Sequence, residues 1–193
     1  MKLHYAGKYN LNPESRPHGE HRPGAVPFKE LQNPRDFAVF INAGCLAVTA
    51  LLMALAFWRS GGFYRAPLQF FLGVVTALFS LLPHELLHGL CFRGGGVYLY
   101  TSLRQGMLFV VGPEEMSKAR FVFMSLLPNL VFGFFPFLAG MLFPRLLYFL
   151  VLGALTIGMG FGDYYNVYNA LTQMPKGART YLYGFHSFWY LPE

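Results

Sequence analysis

In the stretch LLPHELLHGL, from Leu81 to Leu90, two histidines and a glutamate sit among leucines. His84 and His88 are four residues apart, which on a helix puts both imidazoles on one face, one turn from each other, with Glu85 beside them. The pattern is HExxH, in which two neutral imidazoles bind zinc and the glutamate, not itself a ligand, takes a proton from water that the metal activates. The plainer explanation is that three polar residues of an apolar helix satisfy one another by hydrogen bonds. Their surroundings weigh against it: ionisable groups inside a long apolar stretch are costly to bury and mark functional sites.

A zinc site of this kind needs a third protein ligand and a position left for water. Cys91 completes an i, i+4, i+7 stripe with the histidines, but seven residues of helix rise ~10.5 Å, a long reach for one tetrahedral ion. Cys91, like Cys45, reads as a small buried residue. Asp163 is the stronger candidate, because it is the sole acid besides Glu85 within any apolar run. A lone carboxylate in hydrocarbon must find a cation, a proton or a metal. His84 follows Pro67, and Asp163 follows Leu146, by the same distance along the chain, so both sites lie ~25 Å along their helices. Pairing of Asp163 with Tyr164, Asn166 or Tyr168 is the alternative. His186, Glu114 and Glu115 are outside candidates. Asn129 is a candidate substrate-binding group, as a donor to a substrate carbonyl, or else a contact between helices. Pro83 removes a backbone donor directly before His84, which would kink the helix or free a carbonyl near the metal, although prolines are also common in membrane helices without function.

The elements that must position these residues are apolar runs: Phe37–Trp58, Pro67–Phe92, Phe121–Phe143 and Leu146–Met174. Each reaches the roughly 20 residues that a helix needs to cross a bilayer core. Of the 193 residues, 54% are hydrophobic and 12% charged, which departs from soluble usage. The expected fold is an all-α polytopic membrane protein of four transmembrane helices. A short β-hairpin-like insertion is expected between the second and third, in Gly95–Gly112 with Gly106 at its turn. Residues 1–36 read as a cytoplasmic leader, partly disordered, 37–174 as the four-helix core that carries the site, and 175–193 as an aromatic cytoplasmic or interfacial tail. The first apolar run begins too late and is too long for a signal-peptide core. Two cysteines, both in apolar runs, give no disulfide framework.

Most of the 15 basic residues fall in the leader, the middle loop and the tail, against Arg59, Arg65 and Arg145 between the other spans. The positive-inside bias then places both termini in the cytoplasm of a multi-pass cell-membrane protein. It also accounts for the net charge of +6 through anionic lipid rather than nucleic acid, so membrane lipid is the expected partner.

HELLH at 84–88, MSKARFVFMSLLPNLVF at 116–132, GDYYNVYNALTQMPKGA at 162–178 and GFHSFWY at 184–190 together resemble the zincin peptidases of the membrane. That family, first catalogued as a domain of unknown function, is similar to the site-2 proteases, which cut peptide bonds at or within the membrane. The resemblance covers roughly residues 37 to 190. It implies His84, His88 and Asp163 as ligands of Zn2+, Glu85 as general base, and a peptide or membrane-protein substrate cut at or within the membrane; the charge bias and the depth of the site along its helices put the cut near the cytoplasmic face. In site-2 proteases glycine typically follows the ligand aspartate, whereas here Gly162 precedes Asp163. The competing functions are a non-catalytic zinc-binding scaffold, which would not need Glu85, and a metal transporter, which would need polar residues continuing across the spans.

Overall fold

The structure, a computed structural model, describes residues 2–9, 19–31, 33–102, 107–183 and 186–192. Gly106 and residues 10–18 of the leader lie outside the described residues. In chain order the elements begin with strands β1 (Lys2–Lys8) and β2 (Val26–Pro27), followed by helices α1 (Pro34–Ser60), α2 (Pro67–Phe79) and α3 (Leu81–Leu90). Strands β3 (Gly96–Ser102), β4 (Met107–Val111) and β5 (Met116–Ser117) come next. Then follow α4 (Lys118–Pro128), a π-helical turn (Asn129–Phe134), α5 (Phe135–Leu142), α6 (Leu147–Met159) and α7 (Phe161–Gln173), and the chain ends in β6 (Arg179–Tyr183) and β7 (His186–Tyr190).

Local chemistry sets these boundaries. Asn33 caps α1 by accepting from the Arg35 N–H, and Gly61, in the left-handed region at φ 72°, ends it with its N–H turned back to the last carbonyls. Pro83 has no N–H to offer the Phe79 carbonyl, so the second apolar run does not continue straight. Instead α2 ends at Ser80, α3 restarts with the His84 N–H on the Ser80 carbonyl at 2.8 Å, and the pair is bent by 44°. Gly160 divides α6 from α7 in the same way, with a bend of 53°.

The chain divides into two compact units. One comprises Leu31–His84 and Leu126–Tyr165. Its centre is α6, which packs against α1, α2 and α5 and buries Leu147, Leu150, Val151 and Ile157. Close approach depends on missing side chains: a Cβ on Gly158 would lie 1.9 Å from Thr49 Oγ1, and one on Gly153 2.5 Å from the Phe137 backbone nitrogen. Pro128 precedes the π-helical turn, and Thr156 donates its hydroxyl to the Phe132 carbonyl within that turn at 2.6 Å. α1 is long and apolar enough to cross a membrane, as is the helical run Lys118–Leu142, and each bent pair is so as well if it forms one span. α1 leaves Leu46 71% and Trp58 73% exposed, as side chains meant for lipid would be.

The other unit comprises Met1–Glu30, Glu85–Ser125 and Asn166–Glu193. It holds a sheet in the order β1-β3-β4, with β1 parallel to β3 and β3 antiparallel to β4, and a second sheet in the order β2-β7-β6-β5. Aromatic and β-branched residues favour these strands, and Tyr100 stacks on its cross-strand partner Phe109 at 5.5 Å. Phe28, Ala170, Met174 and Ala178 form one buried cluster, and Phe92, Val97 and Met116 another.

The fold is therefore mostly helical, as expected, but not all-α. The expected hairpin is β3 and β4, and both the leader and the tail also supply strands. The reason is non-local: β1 finds its partner almost a hundred residues later, a pairing that no local pattern announces.

Candidate metal site

α3 carries the core of the site. Its ten residues place a nitrogen of His84, a nitrogen of His88 and a carboxylate oxygen of Glu85 within 4.8 Å of one another. The helical pitch alone does this, as the spacing predicts. His88 is buried, and its Nδ1 lies 2.9 Å from the Met124 carbonyl oxygen. A carbonyl can only accept, so Nδ1 carries the hydrogen and Nε2 keeps its lone pair. That is the tautomer a metal-binding imidazole needs, fixed by the kind of partner such ligands commonly have. Glu85 Oε2 accepts a hydrogen bond from the Val110 N–H of β4 at 3.0 Å. β4 is the last strand of its sheet among the described residues, so the Glu85 carboxylate is tied to an edge strand.

The C-terminal end of α3 is held by a clamp. Arg120 donates to the Cys91 carbonyl through Nε at 2.8 Å and to Glu114 Oε1 at 2.6 Å, while Glu114 Oε2 accepts from the Arg93 and Gly94 N–H groups at 2.7 and 3.0 Å. Burial pushes the Glu114 carboxyl up, but Arg120 and these two backbone donors outweigh it and hold it below the usual carboxylate range. Glu114 is thus committed to the helix end. Glu115 is engaged by Arg22 at 2.7 Å and by the Tyr190 hydroxyl at 2.6 Å. His186 lies 3.8 Å from Glu30, and Cys91 donates to the Leu87 carbonyl.

Asp163 sits in the first turn of α7, directly after the break at Gly160, just as His84 follows the break at Ser80. The two meet: His84 Nε2 lies 3.2 Å from Asp163 Oδ2. Asn129, the first residue of the π-helical turn and fully buried, donates from Nδ2 to the same Asp163 oxygen at 2.8 Å and accepts from the Tyr164 hydroxyl at 3.2 Å. A row of polar groups, Tyr164 to Asn129 to Asp163 to His84, therefore runs between apolar helical stretches of this unit. The link from Asn129 to Asp163 was not anticipated; the one local signal was a Pro-Asn pair interrupting a long apolar run.

The donor set suits zinc: imidazole and carboxylate are ordinary zinc ligands, and His84, Glu85 and His88 form the group in mutual reach, while Asp163 meets His84 but lies outside that group.

No curated protein and no solved structure matches the chain significantly. A family model described as "Putative zincin peptidase" matches residues 77–179, which takes in α3, the β3–β4 hairpin, the π-helical turn and α7. More than half of the chain lies within that match, and its zinc chemistry agrees with the His84, Glu85 and His88 group: the chain belongs to this family of zinc peptidases.

Proposed function

We propose that the protein is a membrane-embedded, site-2-protease-like zinc peptidase in which His84, His88 and Asp163 hold the metal and Glu85 is the general base. The observation that carries this reading is the 3.2 Å approach of Asp163, from a distant part of the sequence, to His84 of the HExxH helix. Zinc held there would supply Lewis acidity to activate water and polarise the substrate carbonyl. Glu85 would accept a proton from the attacking water and return it to the departing amine, so that no covalent enzyme intermediate is needed. His88 is kept in its metal-binding tautomer by Met124, and Asn129 orients Asp163.

The edge of β4 supports an extended substrate. Val110 directs its N–H away from β3 toward Glu85, so a peptide added along this edge passes beside the general base. A helix hides its carbonyls within its own hydrogen bonds, whereas a strand leaves the scissile bond accessible. The charge bias of the loops favours the cytoplasmic face for this chemistry.

The test is zinc content and cleavage of a quenched fluorogenic peptide library by detergent-purified protein. E85Q should keep one zinc per chain and lose hydrolysis, because an amide cannot accept the proton; H84A and H88A should lose the metal itself. Undiminished cleavage by E85Q would remove the mechanism.

A further inference from the structure

Three of the guanidinium groups have no place in the chemistry above. Arg59 ends α1, Arg65 lies just before α2, and Arg145 just before α6, and all three line one cavity of about 550 Å³ together with Trp58, Ala66 and Gln69. The cavity lies wholly within the unit formed by Leu31–His84 and Leu126–Tyr165. It is at the N-terminal ends of α2 and α6, whereas His84 and Asp163 follow their C-terminal ends.

Its electrostatics are one-sided. The only acids in that unit are Asp36, at the start of α1, and Asp163, and no carboxylate pairs with Arg59, Arg65 or Arg145 among the described residues. Arg59 uses Nε on the Met141 carbonyl at 2.9 Å, which fixes its guanidinium and leaves the two terminal nitrogens for another partner. The Arg65 guanidinium is folded over Gly61: a Cβ there would lie 3.0 Å from its Cζ. Gln69 is used by the fold, accepting from the Tyr148 N–H at the first turn of α6 at 3.2 Å. Three like charges drawn together without a counter-ion repel one another, and their convergence is stabilised when an anion occupies the space between them. Guanidinium forks match phosphate oxygens two at a time. Trp58, which lines the cavity, and Tyr64, next to Arg65 in the chain, are 73% and 74% exposed, and such rings settle at the headgroup level of a bilayer.

We infer that Arg59, Arg65 and Arg145 form a binding site for a phosphate group, in the first instance that of a phospholipid headgroup. The site is separate from the zinc-binding residues and does not depend on the proposed hydrolysis. An arginine site for a headgroup would tie this end of the helix bundle to one leaflet.

Native mass spectrometry of the full-length protein tests this. The protein, released from detergent micelles doped with phosphatidylglycerol, is compared with R65Q/R145Q, since neither side chain carries a fold contact of the kind Arg59 makes. R35Q/K176Q serves as the charge-matched control. Wild type and control should retain one lipid, and R65Q/R145Q should bind it about tenfold more weakly for each arginine lost, the amount a charge-assisted hydrogen bond supplies. R65K/R145K should recover part of the loss. Inorganic phosphate then separates the sources. If millimolar phosphate leaves the lipid bound, the ligand is a headgroup; if it displaces the lipid, the arginines hold a phosphate of either origin. Equal lipid and phosphate binding by wild type and R65Q/R145Q overturns the inference, as does an equal loss in R35Q/K176Q.

Discussion

Replacing Gly160 by alanine would test how Asp163 is held without touching any proposed ligand. Gly160 has φ −77° and ψ 9°, angles that alanine adopts freely, so the substitution introduces no backbone strain. The added methyl would instead fall 1.7 Å from Asn129 Oδ1 and 2.5 Å from its Cγ. Asn129 is fully buried and has no room to yield, so its amide must swing away and release both Asp163 and Tyr164. Loss of such an outer partner of a metal ligand costs about 10- to 100-fold in metal affinity, or about 1.4 to 2.7 kcal/mol. A further ~1–3 kcal/mol of stability goes with the buried amide left unpaired. Zinc affinity of the detergent-purified variant, measured by competition with a fluorescent chelator, should fall by that factor while helix content by circular dichroism stays at the wild-type level. N129A should show a similar loss, and G160A/N129A should be no weaker than N129A alone, because the methyl then has space and both changes act through one contact. Wild-type zinc affinity in G160A would refute the argument, and so would losses that simply add.

Other outcomes follow from groups away from the helices. Burial pushes the Glu30 carboxyl up to about 7, against hydrogen bonds from the Ser187 N–H and hydroxyl, with His186 3.8 Å away. A carboxylate whose folded pKa is raised binds its proton more tightly when folded. Its contribution is therefore most favourable below about 4.5 and is lost as pH rises toward about 7, by about 3 kcal/mol at most. E30Q should flatten the fall in thermal unfolding temperature between those pH values; an unchanged slope would assign it to other groups. For topology, a cysteine at Lys176 should resist impermeant thiol reagents in intact cells and one at Gly62 should label, and the reverse pattern would place the site at the outer face.

The histidines were legible because a helix turns the spacing i, i+4 into adjacency without help from the rest of the chain. Asp163 was legible for a different reason: a carboxylate in an apolar run is conspicuous wherever it ends up. What the chain order hides is partnership across distance. Asn129 could be read as a substrate contact or a helix contact, and only the packing of the π-helical turn against Gly160 shows its amide spent on Asp163 and Tyr164. Arg59, Arg65 and Arg145 registered only as loop charges for counting, since nothing local brings the α1–α2 and α5–α6 connections to one cavity. The bend at Ser80 was legible in Pro83, which removes a backbone donor, whereas nothing local announced the one at Gly160, because apolar runs of full membrane length look the same whether straight or broken.

The parallel pairing of β1 with β3 has a consequence for how the chain is threaded during synthesis. Backbone hydrogen bonds cannot reach across a bilayer, so Lys2–Lys8 and Gly96–Ser102 must end on one face, as must Val26–Pro27 with His186–Tyr190 and Met116–Ser117 with Arg179–Tyr183. If the apolar helices cross the membrane, they cross an even number of times between β1 and β3 and again between β5 and β6. The earliest strand made must then wait, unpaired, until two crossings later its neighbour returns to the same compartment. A single added or lost crossing would strand β1 opposite its partner and leave the sheet whose edge carries the Val110 contact to Glu85 without its first member.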